Sequence, residues 1–191
     1  MSPITEQPRV AVVPGDGASP GAMEAALTVL QAAGAHIDWD LLPTGADLTP
    51  MSPKERVAAV HPRLDRADSV LLGSTGGITP GVMHLRYGRG AWCNLRPVQW
   101  RPGVASPYGR PEGIDYLIVR ESHEDLYIGF EGELDALRAS GLIEQVKGVR
   151  MPPGAEGRFA VKVITRDFTE RIARRACEET VRRKALGHPG K

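Results

Sequence analysis

Three arginines and one tyrosine carry the clearest chemical signal in this sequence. Arg86 stands in His84-Leu85-Arg86, Arg96 in Asn94-Leu95-Arg96-Pro97, and Arg120 closes the apolar run Asp115-Tyr116-Leu117-Ile118-Val119. A guanidinium cannot shed its charge, so an arginine beside apolar residues demands an anion. Taken singly, each is satisfied by a local carboxylate such as Glu121 or Glu124. Taken as a series, they suit a multiply charged carboxylate held by bidentate pairs. Tyr127 follows in Glu124-Asp125-Leu126-Tyr127-Ile128. Positive neighbours favour a phenolate, which lets a phenol serve as a general acid. A partly buried aromatic with a satisfied hydroxyl fits the same spacing. His84 and His123 are possible bases or ligands, but neither has a second ligand at helical or hairpin spacing.

Two loops are candidate walls for such a site. Pro14-Gly15-Asp16-Gly17 joins the strand-like Arg9-Val10-Ala11-Val12-Val13 to a helical pattern. Glycines there let a backbone approach a phosphate or carboxylate at a helix N-terminus. Their offsets are not those of the dinucleotide fingerprint, and a tight turn with positive φ accounts for them as well. The second loop, Gly73 to Pro80, follows the apolar run Ser69 to Leu72. Open α/β sheets bind ligands at the carboxyl ends of their strands.

The elements that position these groups follow from periodicity. Ala22, Met23, Ala26, Leu27, Leu30 and Ala33 recur at helical spacing, with Ser19 as a possible cap, Pro20 in the first turn and Gly34 as a stop. His36 to Leu41 alternates like a strand, which makes a βαβ unit and implies a parallel sheet. Ser52 and Glu55 form a capping box that opens a helix through Val60. Strands are expected at 69–72, 115–119 and 160–164. A Gly-rich excursion over 131–158 holds a short helical piece near Leu134 to Leu142. A helix from Asp167 to Lys184 is expected to bury Ile172, Ala173, Ala176, Cys177 and Val181 on one face.

Composition narrows the class. The 191 residues are 41% apolar and 25% charged, an ordinary globular balance. Twenty-four Lys and Arg against 23 Asp and Glu give a formal charge of +1, with no whole-chain footprint for nucleic acid or an anionic membrane. No apolar run approaches the roughly 18 residues of a membrane span. Two distant cysteines, Cys93 and Cys177, read as reduced thiols, and the N-terminus shows no secretory pattern, so the expectation is a cytoplasmic protein.

In this order, the pieces resemble the metal-dependent β-decarboxylating dehydrogenases, the isocitrate and 3-isopropylmalate dehydrogenase family. Val10 to Gly17 with Met23-Glu24-Ala25-Ala26-Leu27 is similar to the family's N-terminus. Leu85-Arg86 through Asn94-Leu95-Arg96-Pro97 resembles its substrate segment, and Val119-Arg120-Glu121 to Tyr127-Ile128-Gly129 its Arg-Glu-x-x-Glu-x-x-Tyr-x-Gly signature. Val161 to Arg166, then Glu170 to Ala173, resembles the strand and helix after its dimer arm. The resemblance implies a layered α/β fold, truncated here, with a mostly parallel sheet and a small dimerisation arm near 131–158. Two portions are expected: residues 1–98 with the Gly-Asp-Gly turn and substrate arginines, and residues 99–191 with the Arg/Tyr motif, arm and last helix.

By position, the resemblance implies that Arg86, Arg96, Arg120 and Asn94 bind a malate-type or 2-keto carboxylate. Tyr127 would protonate the enol left after CO₂ departs, and His123 could share acid–base work. Gly15, Gly17, Thr75 and Thr79 are the cofactor-binding candidates if that function is retained. Family members are about twice as long. Their remaining half supplies a catalytic lysine, metal-binding aspartates and the adenosine loop. No metal ligand is therefore assigned, and no cofactor is expected from this chain alone. NAD(P) and Mg or Mn enter only with a C-terminal half supplied in trans. The leading expectation is a cofactor-independent decarboxylase, lyase or isomerase acting on a small di- or tricarboxylate. The alternatives are a dehydrogenase subunit completed by a separate half, and a non-catalytic carboxylate-binding regulator. Exposed sheet edges predict a homodimer or obligate oligomer.

Overall fold

The computed structural model describes residues 7–188. They group into two compact units, Met1–Ala91 and Trp92–Lys191. The division falls ahead of a strand that the expected 98/99 boundary would have cut.

The first unit is a three-stranded parallel sheet in the order β2-β1-β3, from β1 (Arg9–Val13), β2 (Asp38–Leu41) and β3 (Ser69–Leu72). Ala11, Val12 and Val13 of the central strand are fully buried. Helix α1 (Ser19–Ala32) returns the chain from β1 to β2, and Gly34 at φ +75° ends it. Its cap is Ala18 rather than the expected Ser19, whose hydroxyl instead accepts the Ser74 amide at 2.8 Å. A short helix, α2 (Gly45–Leu48), starts from a Thr44/Asp47 capping box that the periodicity did not bring out. Helix α3 (Pro53–Arg66) begins at the Ser52/Glu55 box as expected, but runs on through Pro62 to Arg66. Tertiary ties carry it past the proline: Leu64 is buried in the core, and Arg63 reaches both Asp40 and the Leu41 carbonyl. Ala11, Val13, Leu42, Leu48, Val60, Leu64 and Ala67 form that core.

The second unit is built on an antiparallel ribbon, β4 (Cys93–Gln99) with β5 (Asp115–Glu121). β4 is hidden in the sequence because Pro97 lies inside it. As half of a two-stranded ribbon it is an edge strand, which tolerates the missing N–H. Then follow β6 (Glu131–Glu133), α4 (Leu134–Ala139) and β7 (Arg158–Ala160), with β6 and β7 antiparallel. The strand expected at 160–164 is thus shorter and earlier; beyond it only Val163 bridges, to Asp125.

Helix α5 (Arg166–Ala185) packs on β5. Its inward face is Phe168, Ile172, Ala176, Glu179 and Arg183, whereas Ala173, Cys177 and Val181 are exposed. The expectation put Ile172, Ala173, Ala176, Cys177 and Val181 on one face. The helix instead turns in charged side chains: Arg183 meets Asp115 of β5, and Glu179 meets Arg175 and Arg182 of the same helix. Among the described residues, no helix is long and apolar enough to cross a membrane.

Candidate functional site

Register places the second unit's candidates together. Asn94 pairs with Arg120 and Arg96 with Ile118 across the ribbon. Opposed residues share a face and side chains alternate with period two, so Asn94, Arg96, Ile118 and Arg120 lie on one side. Asp115, Leu117, Val119 and Glu121 lie on the other, where Asp115 meets Arg183 and Glu121 meets Arg171 of α5. The arginine face is therefore the one that α5 leaves uncovered. Arg96 and Arg120 are diagonal neighbours, a relation that sets side chains roughly 7–8 Å apart at their roots.

Arg96 Nε donates to Asn94 Oδ1 at 3.0 Å, which orients the guanidinium. Arg120 Cζ lies 5.1 Å from the centroid of the Tyr127 ring. Among the described residues, no carboxylate pairs with Arg96 or Arg120. Glu121, one alternative partner weighed for these arginines, sits beside Arg171 at 3.7 Å, and Glu124, the other, bonds Thr165. Two guanidinium groups and an amide on one face, with no paired carboxylate among the described residues, have the donor chemistry that suits a small carboxylate.

Tyr127 is carried on a short 3-10 turn, Leu126–Ile128, entered through Asp125 at φ +67°. His123 lies against α5, its ring tilted over Phe168 with centroids 5.9 Å apart. Its backbone amide donates to Glu121 at 2.8 Å.

In the first unit, Arg86 sits on a single π-turn, His84–Gly88. That turn is pinned to α3: the His84 ring stacks on His61 with centroids 3.9 Å apart, and His84 Nε2 is 2.6 Å from Asp65. His61 Nε2 in turn bonds the Pro80 carbonyl at 2.7 Å.

The loop after β3 is organised by Asp16, the acid of the Gly-Asp-Gly turn, which was not among the candidate site residues. Its carboxylate accepts the Gly76 amide at 2.5 Å, the Ile78 amide at 3.3 Å and the Thr79 hydroxyl at 2.8 Å. Partial burial pushes this carboxyl up, but the Thr79 hydroxyl and the loop amides outweigh it and hold it below the usual carboxylate value. An acid between two glycines at a strand-to-helix turn was the available signal.

The four cofactor candidates separate accordingly. Gly15, at φ +83°, is pressed so close to the Ser74 carbonyl that a Cβ there would collide with it, so it closes the turn on protein. Thr79 is buried with its hydroxyl on Asp16, which makes it a loop anchor and corrects its reading as a direct contact. Gly17 has open space around it, and Thr75 lines an open groove with Gly77 and Pro80. Among the described residues, no three His, Cys, Asp or Glu side chains gather as metal ligands.

The fold is α/β, and its second unit gathers two arginines, an asparagine and a tyrosine close to one another. The isocitrate/isopropylmalate dehydrogenase family model matches residues 9–187, and the chain belongs to that family. It is 36% identical over 140 residues to the 3-isopropylmalate dehydrogenase of Thermobifida fusca, covering 66% of this chain and 40% of that protein. It is 31% identical over 185 residues to the 3-isopropylmalate/3-methylmalate dehydrogenase of Methanocaldococcus jannaschii, covering 96% of this chain and 49% of the relative. The crystal structure of isocitrate dehydrogenase from Methylococcus capsulatus superposes with a TM-score of 0.63 at 22% identity, over 93% of this chain and 49% of that one, a likeness of fold. The chain thus spans less than half the length of these relatives.

Proposed function

We propose that this chain binds a small malate-type or 2-keto di- or tricarboxylic acid and handles the decarboxylation half of its family's chemistry. Arg96 and Arg120, oriented with Asn94, grip carboxylate oxygens. Loss of CO₂ from a β-carboxylated 2-keto acid leaves an enolate, whose charge fixed guanidinium groups stabilise. Tyr127 then delivers a proton to the enol carbon. The observation that carries this reading is the shared face of Asn94, Arg96 and Arg120, whose arginines pair with no carboxylate among the described residues, with Tyr127 against Arg120.

Oxidation of the hydroxy acid belongs to the proposal only together with polypeptide matching the portion of the relatives that this chain does not span. NAD(P) as hydride acceptor and Mg or Mn would enter with it, and Gly17 and Thr75 are the residues here that could face the nicotinamide. The second unit supports such completion, because among the described residues it has no fully buried apolar side chain except Pro111. A homodimer in the cytoplasm remains part of the proposal.

The test is calorimetric titration with isopropylmalate, isocitrate and oxaloacetate, followed by CO₂ release with and without NAD(P). Binding should weaken about 10–100-fold in Arg96→Ala and Arg120→Ala, the usual consequence of removing a charge-assisted contact. CO₂ from the keto acid without nucleotide marks the lyase. CO₂ from the hydroxy acid only with nucleotide and an added complementary chain marks the dehydrogenase. Carboxylate binding unchanged in both variants would sink the assignment.

A further inference from the structure

Glu124 is buried, 8% exposed, yet among the described residues it forms no ion pair. Its carboxyl oxygens are both spent on one residue, Thr165: Oε2 accepts the backbone amide at 2.9 Å and Oε1 accepts the hydroxyl at 2.6 Å. Thr165 is the N-cap of α5, its hydroxyl oxygen accepting the Phe168 amide at 3.4 Å. A buried acid is costly where a neutral side chain would fill the space, so the pairing calls for a reason beyond filling.

The reason lies in what flanks Glu124. Four residues before it is Arg120, and three after it is Tyr127. Between Arg120 and Glu124 the chain turns around Glu121, whose Oε2 accepts the amides of His123 and Glu124, both at 2.8 Å. After Glu124 the chain passes through Asp125, at φ +67° and bridged to Val163, into the turn that carries Tyr127. The Arg120 side chain and the Tyr127 ring are then brought to 5.1 Å. In this eight-residue bend Glu124 hydrogen-bonds the N-cap of α5, and the neighbouring His123 ring tilts over Phe168 in the first turn of that helix.

We propose that Glu124 is a positioning residue: by clamping the bend to Thr165, it holds the Tyr127 phenol against Arg120. The assignment deepens the proposed function, since the phenol it places is the proposed proton donor. Glutamine at 124 can still accept the Thr165 amide with its oxygen and donate to the Thr165 hydroxyl oxygen with its nitrogen. It therefore keeps the clamp, whereas alanine removes it. Thr165→Val removes one of the two bonds and leaves the acid in place.

The test follows the tyrosine ring signals of the full-length chain by NMR, with the Tyr127 signal identified by its loss in Tyr127→Phe. Glu124→Ala should move the Tyr127 signal as far as Arg120→Ala does. Thr165→Val should move it partway and Glu124→Gln little, with the Tyr87 signal of the first unit unchanged in all three. If Glu124→Ala fails to fold, Thr165→Val decides. A Tyr127 signal unmoved in Thr165→Val, or in a folded Glu124→Ala, overturns the proposal. In the keto-acid assay, Glu124→Ala should lower kcat about tenfold with KM within twofold, and should cost nothing further in a Tyr127→Phe background. Additive losses would show a general structural role and overturn the proposal as well. A wild-type chain with no turnover defeats the proposed function instead, and the ring signals then judge the clamp by themselves.

Discussion

The first unit buries ten apolar side chains between Ala11 and Ala67, while among the described residues from Trp92 onward the buried side chains are Pro111, Ser122, Glu124 and Glu179. Polar and cationic contacts hold the second unit's helix to its ribbon. Arg183 and His188 both reach Asp115, Arg175 and Arg182 flank the buried Glu179, and Arg171 lies between the Trp92 and Phe168 rings at 4.1 and 4.2 Å. Apolar burial contributes about 25 cal/mol per Å² whatever the orientation. Charged pairs contribute little net stability but fix geometry. The first unit is thus organised for cohesion and the second for placement. Tyr116, Ile118, Leu142, Ile143, Val146 and Val149 stand exposed on the second unit.

The contrast breaks most visibly under truncation. Leu64→Ala opens a cavity in a closed core and should cost about 2–5 kcal/mol. Ile118→Ala, on a side chain 45% exposed, should cost under about 1 kcal/mol. Hydrogen exchange read separately for the two units in rising urea measures both. Equal losses would mean that the second unit has a core of its own after all.

Acid should separate the units next. The bonds from His188 and then Arg183 hold the Asp115 carboxyl below the usual carboxylate value. A carboxyl depressed in the folded state stabilises above its unfolded value and loses that contribution as pH falls through its folded one, here below about pH 4. Asp16 does the same in the first unit, through its loop amides and Thr79. Asp115→Asn should flatten the acid dependence of exchange in β5 and α5 alone, and Asp16→Asn that of the 73–80 loop alone. A change in both units from either substitution would contradict their separate organisation.

This division also explains what was legible in the sequence. In the first unit the βαβ start, the Ser52/Glu55 cap and the Gly34 stop could be read directly, although Met23 is the one buried residue of α1. The second unit hides its logic from hydropathy. Pro97 disguises β4, and the inward face of α5 uses Arg183 and Glu179 where Cys177 and Val181 were expected. Arg86, expected with the other arginines, falls in the first unit, but Asn94, Arg96, Arg120 and Tyr127 were legible as candidates from their types and lie near one another. Their supports were not. Asp16 and Glu124 act through bonds to residues 63 and 41 positions away, and no local pattern announces a hydrogen bond across that span.

The smallest expected effect concerns Asp125, and it shows how finely the second unit trades cohesion for placement. With φ +67° and ψ −141°, it occupies a region of backbone space that glycine enters freely and other residues enter at a cost of order 1–3 kcal/mol. Four contacts hold it there: its amide donates to the Val163 carbonyl at 3.0 Å, its carbonyl accepts the Val163 amide at 3.4 Å, its carboxylate accepts the Leu126 amide at 2.8 Å, and Lys162 approaches at 3.4 Å. Asp125→Gly removes the strain and the two side-chain contacts together, so the net change should lie within about 1 kcal/mol of zero. Asp125→Ala removes the contacts and keeps the strain, so it should destabilise by about 1–2 kcal/mol. Thermal melts of the two variants give the comparison directly. If alanine is tolerated as well as glycine, the bend carrying Tyr127 relaxes to ordinary backbone, and its geometry is set by Glu124 and Glu121 without help from the strained residue.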